Sequence, residues 1–261
     1  MKQIISLSFL LCAAIACNNH EDRPVTSNTE ESVAMPYEIR RTIEHDQQAF
    51  TQGLVYHDNK LFESTGGDST WIAAYDIEKS SYEKKVTLDK SYFGEGITVL
   101  NDKVYQLTWK NKVGFVYDLD TFERIRTFSY DFEGWGITHD NQHLIISDGS
   151  DKLHYLDTLS LTEVFTKSIT HNSRKVSNLN ELEFINGYVF ANKWESNLIL
   201  KIDTSSSAVV KVYDFSHLVS EIKRRNSRAD VLNGIAYNPD NEDVYITGKL
   251  WPFMYVLRLR E

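Results

Sequence analysis

Glu95 and Lys249 are the two charged side chains whose settings in this sequence invite chemistry. Glu95 stands between two glycines in "FGEGIT", and Lys249 follows a glycine in "TGKLWP". A carboxylate can accept a proton and return it, and an ammonium can stabilise negative charge developing on an oxygen. Three indoles (Trp109, Trp135, Trp194) and three amides (Gln52, Asn180, Asn233) stand at matching places. Polar groups converging in an aromatic-lined concavity would make a small-molecule site.

The matching places belong to a repeat. Five segments share one frame: "QGLVYHDNKLFESTG" from Gln52, "EGITVLNDKVYQLTW" from Glu95, "WGITHDNQHLIISDG" from Trp135, "NELEFINGYVFANKW" from Asn180 and "NGIAYNPDNEDVYITGK" from Asn233. Each reads as a short strand, a turn rich in Asn, Asp or Gly, and an alternating second strand. Third strands follow ("WIAAYD", "VGFVYD", "KLHYLD", "LILKID", "FMYVLRL"), and in the first four units a fourth strand as well. Starts separated by 43, 40, 45 and 53 residues, with four strands per unit, predict a β-propeller.

The fifth unit lacks its fourth strand, and "YEIRRTI" (residues 37–43) is a spare strand ahead of the first. Pairing the two closes the ring and removes an open edge. The expected fold is therefore all-β: a five-bladed propeller over 36–261 whose last blade is completed by an N-terminal strand. The long fourth interval holds "SHLVSEIKRRNSRAD", where Ser216 could cap a short helix with Leu218, Val219 and Ile222 inward.

In a propeller the first strands line the central channel, so the frame's opening position makes one ring: Gln52, Glu95, Trp135, Asn180, Asn233. Fourteen residues later comes a second: Gly66, Trp109, Gly149 and Trp194, with Lys249 sixteen later in the last unit. The alternative is that the indoles plug the channel and Glu95 pairs with Lys249.

His139 and His143 flank a turn and lack the helical face that would make them metal ligands. No Gly-x-Ser-x-Gly elbow appears, and "GWG" and "GEG" are too short for phosphate loops. A net charge of -9 argues against a nucleic-acid partner.

The N-terminus reads as a targeting segment. Lys2 precedes the apolar run "IISLSFLLCAAIA", too short to span a membrane as a helix, and Cys17 follows. "AAIAC" resembles a bacterial lipobox, with Ala14 where Leu is usual. The expectation is a lipoprotein signal peptide over 1–16, lipidation at Cys17, a polar tether over 17–35, and an exported, lipid-anchored protein of the cell envelope. A mature chain from Cys17 loses Lys2, which takes the charge from -9 to -10, and has no partner cysteine for a disulfide.

The motifs "HDQQAFTQGL", "LFESTG", "FGEGIT", "QLTW", "FEGWGIT", "LIISDGS", "LNELE", "VLNGIAY" and "TGKLWP", across residues 43–261, resemble the plant and bacterial type of glutaminyl-peptide cyclotransferase. The resemblance implies a five-bladed propeller that converts an N-terminal Gln of peptides or proteins to pyroglutamate with loss of ammonia. It implies no cofactor, and a monomer is expected. The family's functional residues fall on Glu95, Trp109, Trp135, Asn180, Trp194 and Lys249, all within the two rings. Gln52 completes the set, and Asn233 is expected to bind substrate beside it. Lys193 in "ANKW" and the absence of an aromatic after the glycine in "STGGDST" depart from the family pattern.

On this reading Glu95 and Lys249 are catalytic: Glu95 shuttles the proton, while Lys249, the indole N–H groups and Asn180 face the oxyanion. Two other classes stay open. A calcium-dependent propeller hydrolase or lactonase could use Glu95, Asn180 and Asn233 as oxygen ligands, and a non-enzymatic peptide-binding propeller would release no ammonia.

Overall fold

The structure, a computed structural model, describes residues 36–260. The expectations for the signal segment, Cys17 and the tether lie outside these residues. After β1 (Tyr37–Glu44), blade 1 comprises β2 (Thr51–His57), β3 (Lys60–Thr65), β4 (Trp71–Asp76) and β5 (Ser81–Thr87). Blade 2 comprises β6 (Gly94–Leu100), β7 (Lys103–Thr108), β8 (Val113–Asp118) and β9 (Arg124–Ser129). Blade 3 comprises β10 (Ile137–His139), β11 (His143–Ser147), β12 (Lys152–Asp157) and β13 (Glu163–Ser168). After a short hairpin, β14 (Thr170–His171) and β15 (Arg174–Lys175), blade 4 comprises β16 (Leu179–Ile185), β17 (Tyr188–Lys193), β18 (Leu198–Asp203) and β19 (Ala208–Asp214). Helix α1 (Ser216–Arg225) leads to blade 5, with β20 (Leu232–Asn238), β21 (Asp243–Gly248) and β22 (Phe253–Leu259).

The ring closes as expected. β1 pairs antiparallel with β22, Tyr37 opposite Leu259 and Glu44 opposite Phe253, giving the sheet order β1-β22-β21-β20. The fourth strand of blade 5 is thus β1, which precedes blade 1 in sequence. Blade 4 departs from the expected four strands: β14 and β15 extend it to six, with β14 beside β19. The polar stretch "THNSRK" has no apolar alternation to announce a strand.

Apolar residues gather in the five gaps between neighbouring blades. Successive residues of a middle strand serve opposite gaps. Leu144 and Ile146 pack toward blade 2, and Ile145 packs toward blade 4. Middle strands are therefore apolar on both faces, as sheets covered on both sides require. The outer strand β5 alternates between exposed and half-buried.

The helix buries Leu218, Val219 and Ile222 as expected. Ser216 is its first residue rather than its cap. The capping position is Phe215, whose side chain cannot accept a hydrogen bond, and Asp214 Oδ1 takes the Ser216 N–H at 2.8 Å.

The closure strand ends at a buried ion pair. Both ring nitrogens of His45 face acceptors: Nδ1 lies 2.9 Å from Trp251 O and Nε2 3.0 Å from Glu63 Oε1. Two acceptors require two ring hydrogens, so the imidazole is protonated. Glu63 also accepts from Thr51 Oγ1 and the Tyr82 hydroxyl. Burial by itself would lower the His45 pKa, but the Glu63 carboxylate outweighs it and the net shift is upward. For Glu63, burial pushes up, while His45 and the hydroxyl donors bring it below its usual value.

The signs give a stability window. The His45 contribution is complete below its unfolded pKa of about 6.5 and is lost as pH rises through the raised folded value. The Glu63 contribution is complete above about 4.3 and is lost as pH falls through the lowered value. The stabilisation supplied by the pair is therefore greatest between these limits, as the pH dependence of thermal denaturation with and without His45 would show. His45→Gln should lower stability by ~3–5 kcal/mol, the usual cost of leaving a buried charge unpaired, and should make the fall of stability with rising pH begin at lower pH, because a buried Glu63 without its cation favours the neutral form. Equal pH profiles for both proteins would show that the pair contributes nothing.

Candidate active site

Four innermost strands carry a one-residue bulge at the same place. Pairing slips between Thr51 and Gly53 in β2, between Gly94 and Ile97 in β6, between Leu179 and Leu182 in β16 and between Leu232 and Ile235 in β20. The unpaired residues include Gln52, Glu95, Asn180 and Asn233. A bulge re-aims a side chain at a strand end, so four of the five first-ring residues are bulge residues. The second ring is bound to it by a repeated backbone hydrogen bond. The N–H groups of Gly66, Trp109, Trp194 and Lys249 donate to the carbonyls of Phe50, Phe93, Asn178 and Val231, each two residues before the bulge residue. Blade 3 differs: β10 begins only at Ile137, and the Trp135 N–H donates to Ser147 O.

These residues surround a cavity of about 430 Å³ at one end of the channel, within the size range of small-molecule sites. Gln52, Glu95, Trp109, Trp135, Asn180, Trp194 and Lys249 all line it. Of the expected site residues only Asn233 does not. It lies fully buried behind the wall, its Nδ2 donating to Thr51 O at 3.1 Å and to Gln52 Oε1 at 3.5 Å. Gln52 Nε2 in turn donates to Glu95 Oε1 at 3.2 Å. Asn233 thus faces the Gln52 amide rather than the cavity, away from the substrate contact expected of it.

Glu95 and Lys249 are 5 % and 6 % exposed. Burial is the largest influence on each and pushes both toward neutrality. The Glu95 carboxyl is raised well above the usual range, with Lys249 opposing and Glu133 assisting the rise. The Lys249 ammonium is lowered, with Glu95 and Asp230 opposing. Lys249 Nζ lies 4.7 Å from the centre of the Phe50 ring, and the hydrogen bond that Glu95 receives comes from Gln52. The two groups therefore share a pocket without being consumed by one another.

The indoles differ from expectation. Trp109 Nε1 and Trp135 Nε1 both donate to Glu133 Oε2, at 2.6 and 3.2 Å. Neither is available as an oxyanion donor, because an indole carries one N–H. Trp194 meets Trp135 edge to face, with centroids 5.4 Å apart.

Phe50 and Phe93 line the cavity and were missed in the sequence. The signal was there: both lie two residues before a ring residue, where blade 3 has Glu133. Glu195 and Asp230 also line the cavity, and at their offsets the other blades carry no acid. The second-ring glycines have a steric reason. A Cβ on Gly66 would meet the Phe93 ring at 2.2 Å, and one on Gly149 the Trp135 ring at 2.6 Å.

Among the described residues, no group of three or more His, Cys, Asp or Glu side chains gathers as a metal site. His139 and His143 stay apart from the cavity. His143 Nδ1 lies 3.2 Å from Asp140 Oδ2, and burial lowers the pKa of His139.

The glutamine cyclotransferase family model matches residues 8–259. The chain belongs to that family. A glutaminyl-peptide cyclotransferase of Arabidopsis thaliana is 36 % identical over 229 residues, covering 86 % of this chain and 71 % of the relative. The crystal structure of Myxococcus xanthus glutaminyl cyclase superposes with a TM-score of 0.81 at 35 % identity, covering 86 % of this chain and 96 % of that one. The β-propeller domain of Myceliophthora Cps50 (Swd1), at 9 % identity and TM-score 0.50, shares the fold alone.

Gly149 carries a specific prediction. Its φ is +78°, and Trp135 lies across it. Gly149→Ala should leave the propeller folded but displace the indole. Misplacement by about 1 Å can cost on the order of 10²-fold in rate, so substrate turnover should fall by that order while the melting temperature changes by only a few degrees. Undiminished turnover would show that the position of Trp135 does not matter.

Proposed function

We propose that this chain is a glutaminyl-peptide cyclotransferase that closes the N-terminal Gln of peptides or proteins to pyroglutamate and releases ammonia, without a metal. The observation that carries the reading is a single buried carboxylate facing an aromatic cavity together with a buried ammonium, in a chain of this family.

Nucleophile and electrophile belong to one substrate, so the reaction is an intramolecular acyl transfer from the side-chain amide nitrogen to the α-nitrogen. The protein's task is to hold the Gln side chain folded, move protons and stabilise the oxyanion. The α-amine must be unprotonated to attack, and its ordinary pKa is about 7.7–8.0. Glu95 takes a proton from the attacking nitrogen and delivers it to the leaving ammonia. Its pKa, raised above the usual carboxylate range by burial, makes it a better proton acceptor than an ordinary carboxylate. Gln52, fixed by Asn233, holds the carboxylate by one oxygen.

With two of the three indole N–H groups committed to Glu133, the cationic donor for the oxyanion is Lys249. Asn180 Oδ1 is buried and has no protein hydrogen-bond partner, so it suits an N–H of the substrate. Trp109, Trp135 and Trp194 exclude water and confine the Gln methylenes. The calcium-dependent alternative predicts loss of activity on chelation; the cyclotransferase reading predicts ammonia release from Gln-Ala-type peptides in excess EDTA.

Glu95→Gln preserves size and keeps a hydrogen-bonding terminus for Gln52. It should fold and bind peptide but lose turnover by ~10²–10⁴, the usual worth of general acid–base catalysis. Near wild-type ammonia release from this variant would exclude the carboxylate as the shuttle.

The reading extends to the envelope: removal of residues 1–16, lipidation of Cys17 and a tether over 17–35 would place the propeller on an exported, membrane-anchored chain. The order of positive, apolar and small residues before Cys17 supports this. Cys17→Ser should then move the protein from the membrane to the soluble fraction with unchanged specific activity. Equal membrane association of both forms would refute the anchor.

A further inference from the structure

The aromatic lining of the cavity is built in two halves. Phe50 meets Phe93 edge to face, with centroids 6.4 Å apart, and Phe93 meets Trp109 at 5.7 Å. On the other side Trp135 meets Trp194 at 5.4 Å. Among the described ring contacts, none joins Trp109 to Trp135. The residue between them is Glu133, whose Oε2 receives both indole N–H groups. Glu133 does not itself line the cavity.

From this arrangement we infer that Glu133 is a positioning residue: a single carboxylate oxygen ties the Trp109 wall to the Trp135 wall and fixes the width of the slot that takes the Gln side chain. The inference rests on the cyclotransferase reading for the identity of the occupant. The tie itself stands on geometry alone.

Three physical arguments support the role. A carboxylate accepting two N–H donors makes charge-assisted hydrogen bonds, stronger and more directional than neutral ones. Each indole has one donor, so a shared acceptor sets ring orientation as well as position. Glu133 also occupies the place, two residues before Trp135, that Phe50 and Phe93 occupy before Gln52 and Glu95. In blades 1 and 2 an aromatic there becomes part of the wall, and in blade 3 a carboxylate there holds the wall from behind.

The same charge has a second effect, on Glu95. The charged and titratable groups acting on Glu95 are Lys249 from blade 5, which lowers its pKa, and Glu133, which raises it after the larger effect of burial. Tyr130, whose own phenol is raised by burial and by Glu95, is a further titratable neighbour, and the exposed Glu195 and Asp230 line the same cavity. The Gln52 amide is neutral. Removing the Glu133 charge therefore moves Glu95 downward, toward the usual carboxylate range.

Two substitutions separate the effects. Glu133→Ala deletes the tie and the charge. Glu133→Gln keeps one acceptor oxygen and deletes the charge. For ammonia release from a Gln-Ala peptide, Glu133→Ala should raise KM by on the order of tenfold, equivalent to loss of about one hydrogen bond to a charged group. Its tryptophan emission, without substrate, should shift to longer wavelength as the indoles loosen into water. Glu133→Gln should keep KM within about threefold, the cost of a neutral acceptor in place of a charged one. Its acid limb of kcat/KM should move to lower pH.

Unchanged KM and unchanged emission in Glu133→Ala would overturn the positioning role, and an unmoved acid limb in Glu133→Gln would overturn the effect on Glu95. Should Glu133→Ala fail to fold, Glu133→Gln decides: emission and KM like the wild type with a shifted acid limb support the inference, whereas a weakened KM with no pH shift defeats it. Failure of the cyclotransferase reading looks different. The wild type itself would then release no ammonia, while the emission comparison would still report on the tie.

Discussion

The close approach of five backbones around one axis is the constraint on which the rest of this molecule depends. At Gly136 a Cβ would lie 2.1 Å from Asn180 O and 2.7 Å from Glu181 Cα, so only a residue without a side chain fits. The frame's glycine is thus the condition for five inner strands to meet. In blade 4 that position is Glu181, and its side chain uses the axial space that the glycines leave. Its two carboxylate oxygens accept the N–H groups of Leu54 and Ile235, at 3.2 and 2.8 Å. Blade 4 is thereby fastened to blades 1 and 5 through the centre of the ring, as β1 fastens the ring at its rim. Two residues on, Glu183 repeats the device with the Tyr237 N–H at 2.9 Å. Burial raises both carboxyls, Glu183 to about 8.

Tight packing at the axis also produces the site. An inner strand that approaches its neighbours this closely cannot continue its ladder undisturbed, and four of the five bulge where they meet. The bulge turns Gln52, Glu95, Asn180 and Asn233 out of the sheet toward the axis. Burial then does the electrostatic work. A carboxylate and an ammonium removed from water are each driven toward their neutral forms, and each partly restores the other. That opposition leaves Glu95 above its usual value and Lys249 below its own.

Most of the fold was legible because the repeat is long and the strand signal is strong. Five frames, a missing fourth strand and a spare first one predict the closure that β1 and β22 make. The cavity wall was legible where it coincides with the frame, at Gln52, Glu95, Trp109, Trp135, Asn180, Trp194 and Lys249. Asn233 was placed wrongly because ring position says which residues converge but not which stand in front. Its amide is short, and Gln52, one methylene longer, covers it. The indole N–H groups were misassigned because their acceptor, Glu133, lies outside both rings. Phe50 and Phe93 share its offset of two residues, a third register that the spacing contains and that only the backbone hydrogen bonds make evident. The hairpin of β14 and β15 and the cap of α1 were lost for a local reason: polar residues carry no periodicity, and Asp214 sits one residue earlier than a side-chain cap would.

A five-fold ring cannot by itself hold a substrate that has an amine at one end of a five-atom path and an amide at the other. The chemistry sits where the repeat is broken. Blade 3 lacks the bulge, begins its strand late and leaves Trp135 to lie flat across Gly149. Blade 5 has a turn two residues longer and places a cation where blades 2 and 4 place indoles. Blade 2 alone has an acid at the first-ring position, Glu95. The conserved geometry of the frame explains why these side chains meet, and the departures explain why the meeting place has direction: a carboxylate from one side, an ammonium from another, and walls of indole tied together from behind by a second carboxylate. Repetition supplies the rigidity that keeps such a site dry, and asymmetry among five equivalent positions supplies the reaction coordinate.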